Sequence, residues 1–97
     1  MKITFVQTDI EWENKKANFS RYESIISKMY GETDVLVLPE MFNTGFSMNS
    51  RELAEDMKGE TMRWMAEISA RGGFAMLGSF IATWKGLYYN RLIFMKP

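Results

Sequence analysis

The sequence has 97 residues, of which 46% are hydrophobic and 25% charged, a composition typical of one small globular domain. Lysine and arginine (12) balance aspartate and glutamate (12), so no general positive field attracts phosphate backbones, and we expect no nucleic-acid partner. The absence of cysteine and histidine excludes disulfides, thiolate sites and imidazole catalysis within these residues. We also expect no membrane span and a cytoplasmic location, since no long apolar run or signal peptide is visible. We expect no metal, because cysteine and histidine ligands are absent, and no cofactor.

The first half of the chain predicts a strand, a helix and a second strand. β-Branched and aromatic residues predict a strand over 3–8. A helix is expected to begin near Asn14, whose side chain can cap the first turn, and to end at Gly31. The apolar run 35–38 predicts a strand buried on both faces, as in a parallel sheet, and Pro39 ends it. The apolar face of the helix consists of Phe19, Tyr22, Ile25, Ile26 and Met29.

The second half predicts a long loop, two helical segments and a β-hairpin. Gly72-Gly73 ends the longer helix, and Lys85-Gly86 forms the turn of the hairpin. The order is β-α-β-α-β-β, an α/β fold whose first three strands are expected to be parallel with right-handed crossovers. The predicted elements are a loop at 40–49, a helical turn at 51–56, a helix at 61–71, and strands at 74–82 and 88–95.

The predicted sheet carries apolar residues on both faces, whereas both long helices are expected to pack on one face. A sheet of this kind needs a second covering layer. We therefore expect residues 1–97 to be the N-terminal part of one larger domain, or one half of an assembly. The alternative is a small two-layer domain that is complete in itself.

Glu40 is the strongest candidate for a functional side chain. It directly follows the buried strand, at the edge of a parallel sheet where α/β proteins bind ligands. Its neighbours Met41, Phe42 and Phe46 are apolar, and a carboxylate among apolar neighbours suits general-base chemistry. The alternative is that Glu40 is a solvated loop residue or accepts hydrogen bonds from loop amides.

The segment 34–46, Asp-Val-Leu-Val-Leu-Pro-Glu-Met-Phe-Asn-Thr-Gly-Phe, resembles the carbon–nitrogen hydrolases of the nitrilase superfamily, and within them the omega-amidase-like branch. The resemblance covers essentially the whole chain. It implies a four-layer α-β-β-α sandwich, of which this chain would form the N-terminal half. Individually weaker matches in the family's order are the opening segment 3–9, Asn18, Gly78-Ser79 and Tyr89-Asn90-Arg91.

The resemblance also implies a Glu-Lys-Cys catalytic triad. A cysteine thiolate attacks an amide carbon, ammonia leaves as a thioester forms, and water hydrolyses the thioester, with Glu40 as general base and the lysine stabilising the oxyanion. Asn90 matches a structural position that holds strand ends together. The implied substrate is the terminal amide of a small dicarboxylic or keto-acid monoamide, and the implied intact enzyme is a homodimer. The residues implied to line or shape the pocket are Phe42, Asn43, Thr44 and Phe46.

The chain departs from the family pattern because two of the three catalytic groups are missing. Lys85 and Lys96 do not match the lysine motif, and the chain has no cysteine. A glutamate without its nucleophile cannot perform covalent amide hydrolysis. We therefore predict that these 97 residues alone are inactive as an amidase.

Two other interpretations stay open at this point. A magnesium-dependent phosphodiesterase of the endonuclease/exonuclease/phosphatase type would use Gln7 and Glu40 as oxygen ligands, although that family prefers asparagine at the first position. A non-catalytic interaction module, or a degenerate homologue, would present the apolar last strand, including 92–95, and the three tryptophans (Trp12, Trp64 and Trp84) to a partner. A serine triad is excluded because Ser47 and Ser79 have no histidine to activate them.

Overall fold

A computed structural model of the protein describes all of residues 1–97. Its four strands form one sheet in the order β1-β2-β3-β4. The first three are parallel and β4 runs antiparallel to β3, which confirms the predicted α/β order and strand directions. The elements are β1 (Ile3–Phe5), α1 (Lys15–Ile26) with a 3₁₀ turn (Ser27–Met29), β2 (Val35–Val37), α2 (Ser50–Leu53), α3 (Glu60–Gly72), β3 (Ala75–Trp84) and β4 (Leu87–Met95).

Each long helix follows one of its predicted capping signals, but α1 ends at Ile26 and continues only as the 3₁₀ turn Ser27–Met29, short of the predicted end at Gly31. Asn14 Oδ1 accepts a hydrogen bond from the Ala17 amide at 3.1 Å and caps α1. At the end of α3, Gly73 adopts a left-handed conformation with φ 68°, and its amide donates to the Ser69 carbonyl. The longer of these helices, α3, has 13 residues, and no helix is long and apolar enough to cross a membrane.

Several predicted elements differ in length from the observed ones. β1 ends at Phe5, because Val37 ends β2 and Pro39 then turns the chain away, which leaves residues beyond Val6 without a partner strand. Helix α2 is shorter than predicted, because Glu55 is extended and pairs with Ala82 of β3. β3 and β4 are longer than predicted because a two-residue turn joins them directly at Lys85 and Gly86, both with positive φ (51° and 76°).

Both long helices pack on one face of the sheet, here called the helix face. Its centre is aromatic: Phe19 and Trp64 stack with ring centroids 4.8 Å apart. The Phe42 ring lies 5.8 Å from Trp64 and 5.7 Å from Tyr22, so a residue of the loop after β2 completes the core. The sheet contributes Leu36, Met76, Phe80 and Ala82, all fully buried.

The opposite side of the sheet, here called the bare face, is apolar and uncovered. Phe5 is 73% exposed and Phe94 is 56% exposed. The strand register places these two in one row across the sheet, with Val37 and Leu77 between them. The structure thus confirms that the sheet is apolar on both faces while the helices cover only one. The bare face consists of Ile3, Phe5, Val37, Leu77, Leu92 and Phe94.

Candidate active site

Glu40 lies just beyond the carboxyl end of β2, where the sequence predicts it, but its side chain is exposed, and the predicted apolar neighbours Met41, Phe42 and Phe46 do not line its cavity. Its side chain lines an open cavity of about 300 Å³ at the edge of the bare face. In open α/β sheets this is the edge at which ligands bind. The other residues that line the cavity are Val37, Leu38, Leu77, Ser79, Asn90 and Leu92.

One side chain of the protein holds the Glu40 carboxylate directly. Asn90 Nδ2 donates a hydrogen bond to Glu40 Oε1 at 3.0 Å. Asn90 lies on β4 opposite Ile81, two residues from Leu92 and therefore on the bare face with it. The other carboxylate oxygen, Oε2, has no protein hydrogen-bond partner, so it is free to accept a proton.

The backbone after Glu40 turns sharply and is held by β3. Met41 has φ 49°, in the left-handed region that residues other than glycine rarely adopt. Its amide donates to Ser79 Oγ at 2.9 Å, and the next amide, that of Phe42, donates to the Ser79 carbonyl at 3.2 Å. Ser79 therefore holds both amides that follow Glu40.

The carbonyls of the same loop are held from the other side, by α1 and the residues that precede it. Burial raises the pKa of Tyr22 to about 12, against a smaller lowering effect of the Arg21 charge, so the Tyr22 hydroxyl stays protonated and donates near neutral pH. Three consecutive carbonyls of the loop, at residues 42–44, each accept one hydrogen bond from α1 or from the residues that precede it. The bonds are Tyr22 Oη to Phe42 O (2.9 Å), Asn18 Nδ2 to Asn43 O (2.8 Å) and Glu13 N to Thr44 O (2.9 Å).

The four residues predicted to line or shape the pocket do not line the cavity of Glu40 in this structure. Phe42 packs in the core against Gly78, where an added Cβ would lie 3.1 Å from its ring. Asn43 and Thr44 are buried inside the loop, and Phe46 is 69% exposed. Their contact with a substrate stays a prediction, whereas their backbone holds the loop that carries Glu40.

A second polar cluster, on the helix side of the loop, has no counterpart in the sequence analysis. Glu55 Oε2 accepts hydrogen bonds from Lys15 Nζ at 2.7 Å and from Thr61 Oγ1 at 2.6 Å. Asn43 Nδ2 donates to the same Thr61 oxygen at 2.9 Å, while the buried Asn43 Oδ1 has no partner. This cluster fixes the loop to the start of α3 and lies apart from the cavity of Glu40.

The magnesium interpretation receives no geometric support. Gln7 lines a neighbouring cavity with Phe5, Val6 and Pro39, and it is not among the residues around Glu40. No group of three or more acidic, cysteine or histidine side chains is arranged to hold a metal ion. Gln7 and Glu40 therefore line two adjoining cavities, which share Val37 and Leu38, and do not line one common cavity.

The sequence and the fold both match known proteins. The chain is 31% identical over 97 residues to omega-amidase YafV of Yersinia enterocolitica and 30% identical over 84 residues to 2-oxoglutaramate amidase of Bacillus subtilis. Among solved structures, it is similar to XC1258 of Xanthomonas campestris, a CN-hydrolase superfamily protein with an arsenic adduct in its active site. That similarity has a TM-score of 0.94, with 33% identity over 99% of this chain. Nit3 of Saccharomyces cerevisiae, a nitrilase-superfamily member, has a TM-score of 0.85 with 22% identity over 99% of this chain and 40% of its own, which shows a shared fold.

These matches cover nearly all of the chain but only part of each relative. The chain spans 37% of the Yersinia amidase, 32% of the Bacillus amidase and 36% of the Xanthomonas structure, while 86–100% of its own length is matched. The structural neighbours have the α-β-β-α sandwich fold, and the four-stranded sheet with its helices corresponds to part of it. The model of the carbon-nitrogen hydrolase family matches residues 2–97. The chain therefore belongs to the carbon–nitrogen hydrolase family.

Proposed function

We propose that Glu40 is the general base of an amidase and that this chain supplies it. The observation that carries the proposal is the position of Glu40 in the cavity beyond β2, with Oε1 bound by Asn90 and Oε2 free. A general base needs a free oxygen within reach of the proton that it removes. Membership of the carbon–nitrogen hydrolase family supports the assignment.

In the proposed reaction Glu40 Oε2 takes the proton of a cysteine thiol, and the thiolate attacks the amide carbon. The proton then passes to the leaving nitrogen, ammonia departs and a thioester remains. Glu40 next removes a proton from water, whose oxygen attacks the thioester and releases the acid and the free thiol. A lysine stabilises the oxyanion of each tetrahedral intermediate. Residues 1–97 contain no cysteine, so the thiol belongs to polypeptide outside them.

We propose that residues 1–97 form the N-terminal part of one larger carbon–nitrogen hydrolase domain, and that the rest of that domain covers the bare face. The exposure of Phe5 and Phe94 supports this, since apolar sheet faces in folded domains pack against a second layer. The homodimer and the cytoplasmic location are predictions for the same whole protein. Phe42, Asn43, Thr44 and Phe46 are proposed to shape its pocket through the loop.

The proposed substrate is the terminal amide of a small dicarboxylic or keto-acid monoamide. Two relatives are named omega-amidase and 2-oxoglutaramate amidase, which supports that class. The cavity of Glu40 is open towards the bare face in this chain. Four of its seven lining residues are apolar, which suits the methylene groups of such a substrate.

The test uses the whole protein, meaning the translation product of the full reading frame that contains residues 1–97. Ammonia release from 2-oxoglutaramate is measured for the wild type, for Glu40→Gln and for Glu32→Gln. Removal of a general base lowers kcat by about 10²–10⁴-fold, so Glu40→Gln is expected to fall in that range. Glu32 is an exposed carboxylate before the amino end of β2, and its variant is expected to keep wild-type activity.

A Glu40→Gln variant with wild-type turnover would contradict the proposal. The 97-residue chain alone is expected to release no ammonia above background. A full reading frame that encodes no cysteine would favour the interaction module instead. For that module the specific observation is the exposed bare face, in which Phe5, Leu92 and Phe94 are each more than half exposed.

A further inference from the structure

We infer that Asn90 and Ser79 are positioning residues for Glu40, an inference that rests on the proposed function of Glu40 as general base. Asn90 orients the carboxylate itself, and Ser79 fixes the backbone from which the carboxylate extends. Both come from the β3–β4 hairpin, so one element controls the geometry of a residue in the loop after β2. A catalytic group held by residues that are themselves fixed needs less reorganisation during the reaction.

Asn90 suits the orientation of a base because its amide donates a hydrogen bond and cannot take a proton. Its bond to Glu40 Oε1, 3.0 Å long, occupies one oxygen and leaves Oε2 as the open acceptor. A carboxylate without this bond rotates about its terminal torsion, which is broad and roughly two-fold. The bond therefore fixes the orientation of the carboxylate group and leaves one of its two oxygens unbound.

Ser79 does not contact the Glu40 carboxylate and acts on the backbone that follows Glu40. It is only 4% exposed, and its Oγ accepts the Met41 amide while its carbonyl accepts the Phe42 amide. The left-handed conformation of Met41 is unfavourable for a residue with a side chain, and it persists only where surrounding bonds enforce it. Ser79 supplies two of those bonds and so sets the direction in which Glu40 leaves the sheet.

A purely structural role is the main alternative, and Asn90 separates the two because it is exposed. Loss of an exposed hydrogen bond changes stability little, so a large loss of activity in an Asn90 variant reports on orientation. Ser79 is buried, and its replacement changes stability as well as geometry. The variants of Asn90 therefore decide the inference, and those of Ser79 extend it.

The experiment measures kcat and KM of the whole protein for 2-oxoglutaramate in Asn90→Ala, Asn90→Asp and Asn90→Gln. We expect kcat to fall about 10–100-fold in the first two, since small misplacements of a catalytic group cost about that much, with KM changed less than about twofold. Asn90→Gln keeps the amide donor and is expected to recover part of the loss. The control is Asn49→Ala, which removes another asparagine that donates to a glutamate, Glu52, away from the cavity.

A double-mutant cycle with Glu40→Gln adds a readout that a structural role would not move. A residue that acts only through the Glu40 carboxylate has no further effect on kcat once that carboxylate is removed. Asn90→Ala is therefore expected to leave the residual kcat of Glu40→Gln unchanged, and Ser79→Ala is expected to show the same loss of effect. If the Ser79 variant fails to fold, the Asn90 variants alone decide.

The outcomes distinguish this inference from the proposed function. If Glu40→Gln retains wild-type turnover, the proposed function fails and the inference fails with it. If Glu40→Gln is inactive but Asn90→Ala matches the wild type, only the inference fails. A rise in KM with unchanged kcat would overturn it too, because Asn90 would then bind substrate rather than orient the base.

Discussion

The two faces of the sheet differ in what covers them and in what they carry. On the helix face Leu36, Met76 and Phe80 are fully buried under two helices. On the bare face Phe5 and Phe94 are more than half exposed, and the cavity of Glu40 lies at its edge. The comparison shows that the burial within this chain comes mainly from one face, while the candidate chemistry lies on the other.

Within three residues, the loop after β2 places one side chain on each side of the sheet. Side chains two positions apart in a strand share a face, but Glu40 lines the cavity on the bare side while Phe42 is buried in the helix-side core. Between them Met41 adopts the left-handed conformation that makes this possible. Phe42, which anchors the loop in the core, is thus nearly adjacent in sequence to Glu40. Loss of the Phe42 ring therefore affects both the core and the position of the Glu40 carboxylate.

The largest expected effect comes from removing that anchor. Phe42→Ala deletes a fully buried ring that contacts Tyr22 and Trp64, and such a deletion lowers the free energy of unfolding by about 3–5 kcal/mol. Phe46→Ala, in the same loop but 69% exposed, is expected to change it by less than about 0.5 kcal/mol. Urea denaturation of both variants measures the difference. Equal effects would show that Phe42 is no more part of the core than the exposed Phe46.

The second effect concerns the hydroxyl that holds the loop. Tyr22→Phe keeps the ring but leaves the Phe42 carbonyl without its donor, and an unpaired buried acceptor costs about 1–3 kcal/mol near neutral pH. The measurement is the free energy of unfolding of the variant relative to the wild type. No difference at neutral pH would mean that this bond does not hold the loop.

The difference in stability between the wild type and Tyr22→Phe is expected to depend on pH. The pKa of Tyr22 is raised from 10.0 to about 12 on folding, so the folded protein keeps a proton that the unfolded chain has already lost. Stability from this group is fully present below pH 10 and is lost as the pH rises towards 12. The stability gap between wild type and Tyr22→Phe should therefore narrow in this window. A gap that stays constant would contradict the assigned cause, and the other three tyrosines cancel because both proteins have them.

The smallest effect is expected on the bare face of the isolated chain. Phe94→Ser should change the stability of the 97-residue chain by less than about 0.5 kcal/mol, since the side chain is 56% exposed. It should also reduce self-association, measured by light scattering, because β4 is an apolar edge strand. In the whole protein the same substitution should cost about 2 kcal/mol or more, because there the face is proposed to be covered. Equally small losses of stability in the 97-residue chain and in the whole protein would contradict the proposal that the bare face is covered.

The sequence predicted the elements whose signals are local. Asn14 caps a helix through the side chain that the pattern indicated, and Gly73 adopts the positive φ expected at a helix end. The apolar run ending at Pro39 is a parallel strand, and it places Glu40 at the edge of the sheet. These features depend on neighbouring residues alone, which is why a single sequence is enough to find them.

The features that depend on distant residues could not be read from the sequence. Asn90 and Glu40 are 50 residues apart, and no local pattern shows that the β2–β3 crossover and the β3–β4 hairpin bring them together. The side of the sheet that Phe42 occupies depends on the conformation of Met41, and nothing in the residue type methionine indicates a positive φ. The hydroxyl of Ser79, excluded as a nucleophile, serves instead as a hydrogen-bond acceptor.

The arrangement of Glu40, Ser79 and Asn90 has a consequence for synthesis on the ribosome. The segment around Glu40 emerges first, whereas Asn90, which holds its carboxylate, is encoded 50 residues later. At about 5–20 residues per second this delay is roughly 2.5–10 s. During most of it Met41 lacks the hydrogen bond to Ser79 Oγ that helps to enforce its unfavourable conformation. The β3–β4 hairpin, which closes in roughly 1–10 μs once it is free, then orders a loop that was translated long before it.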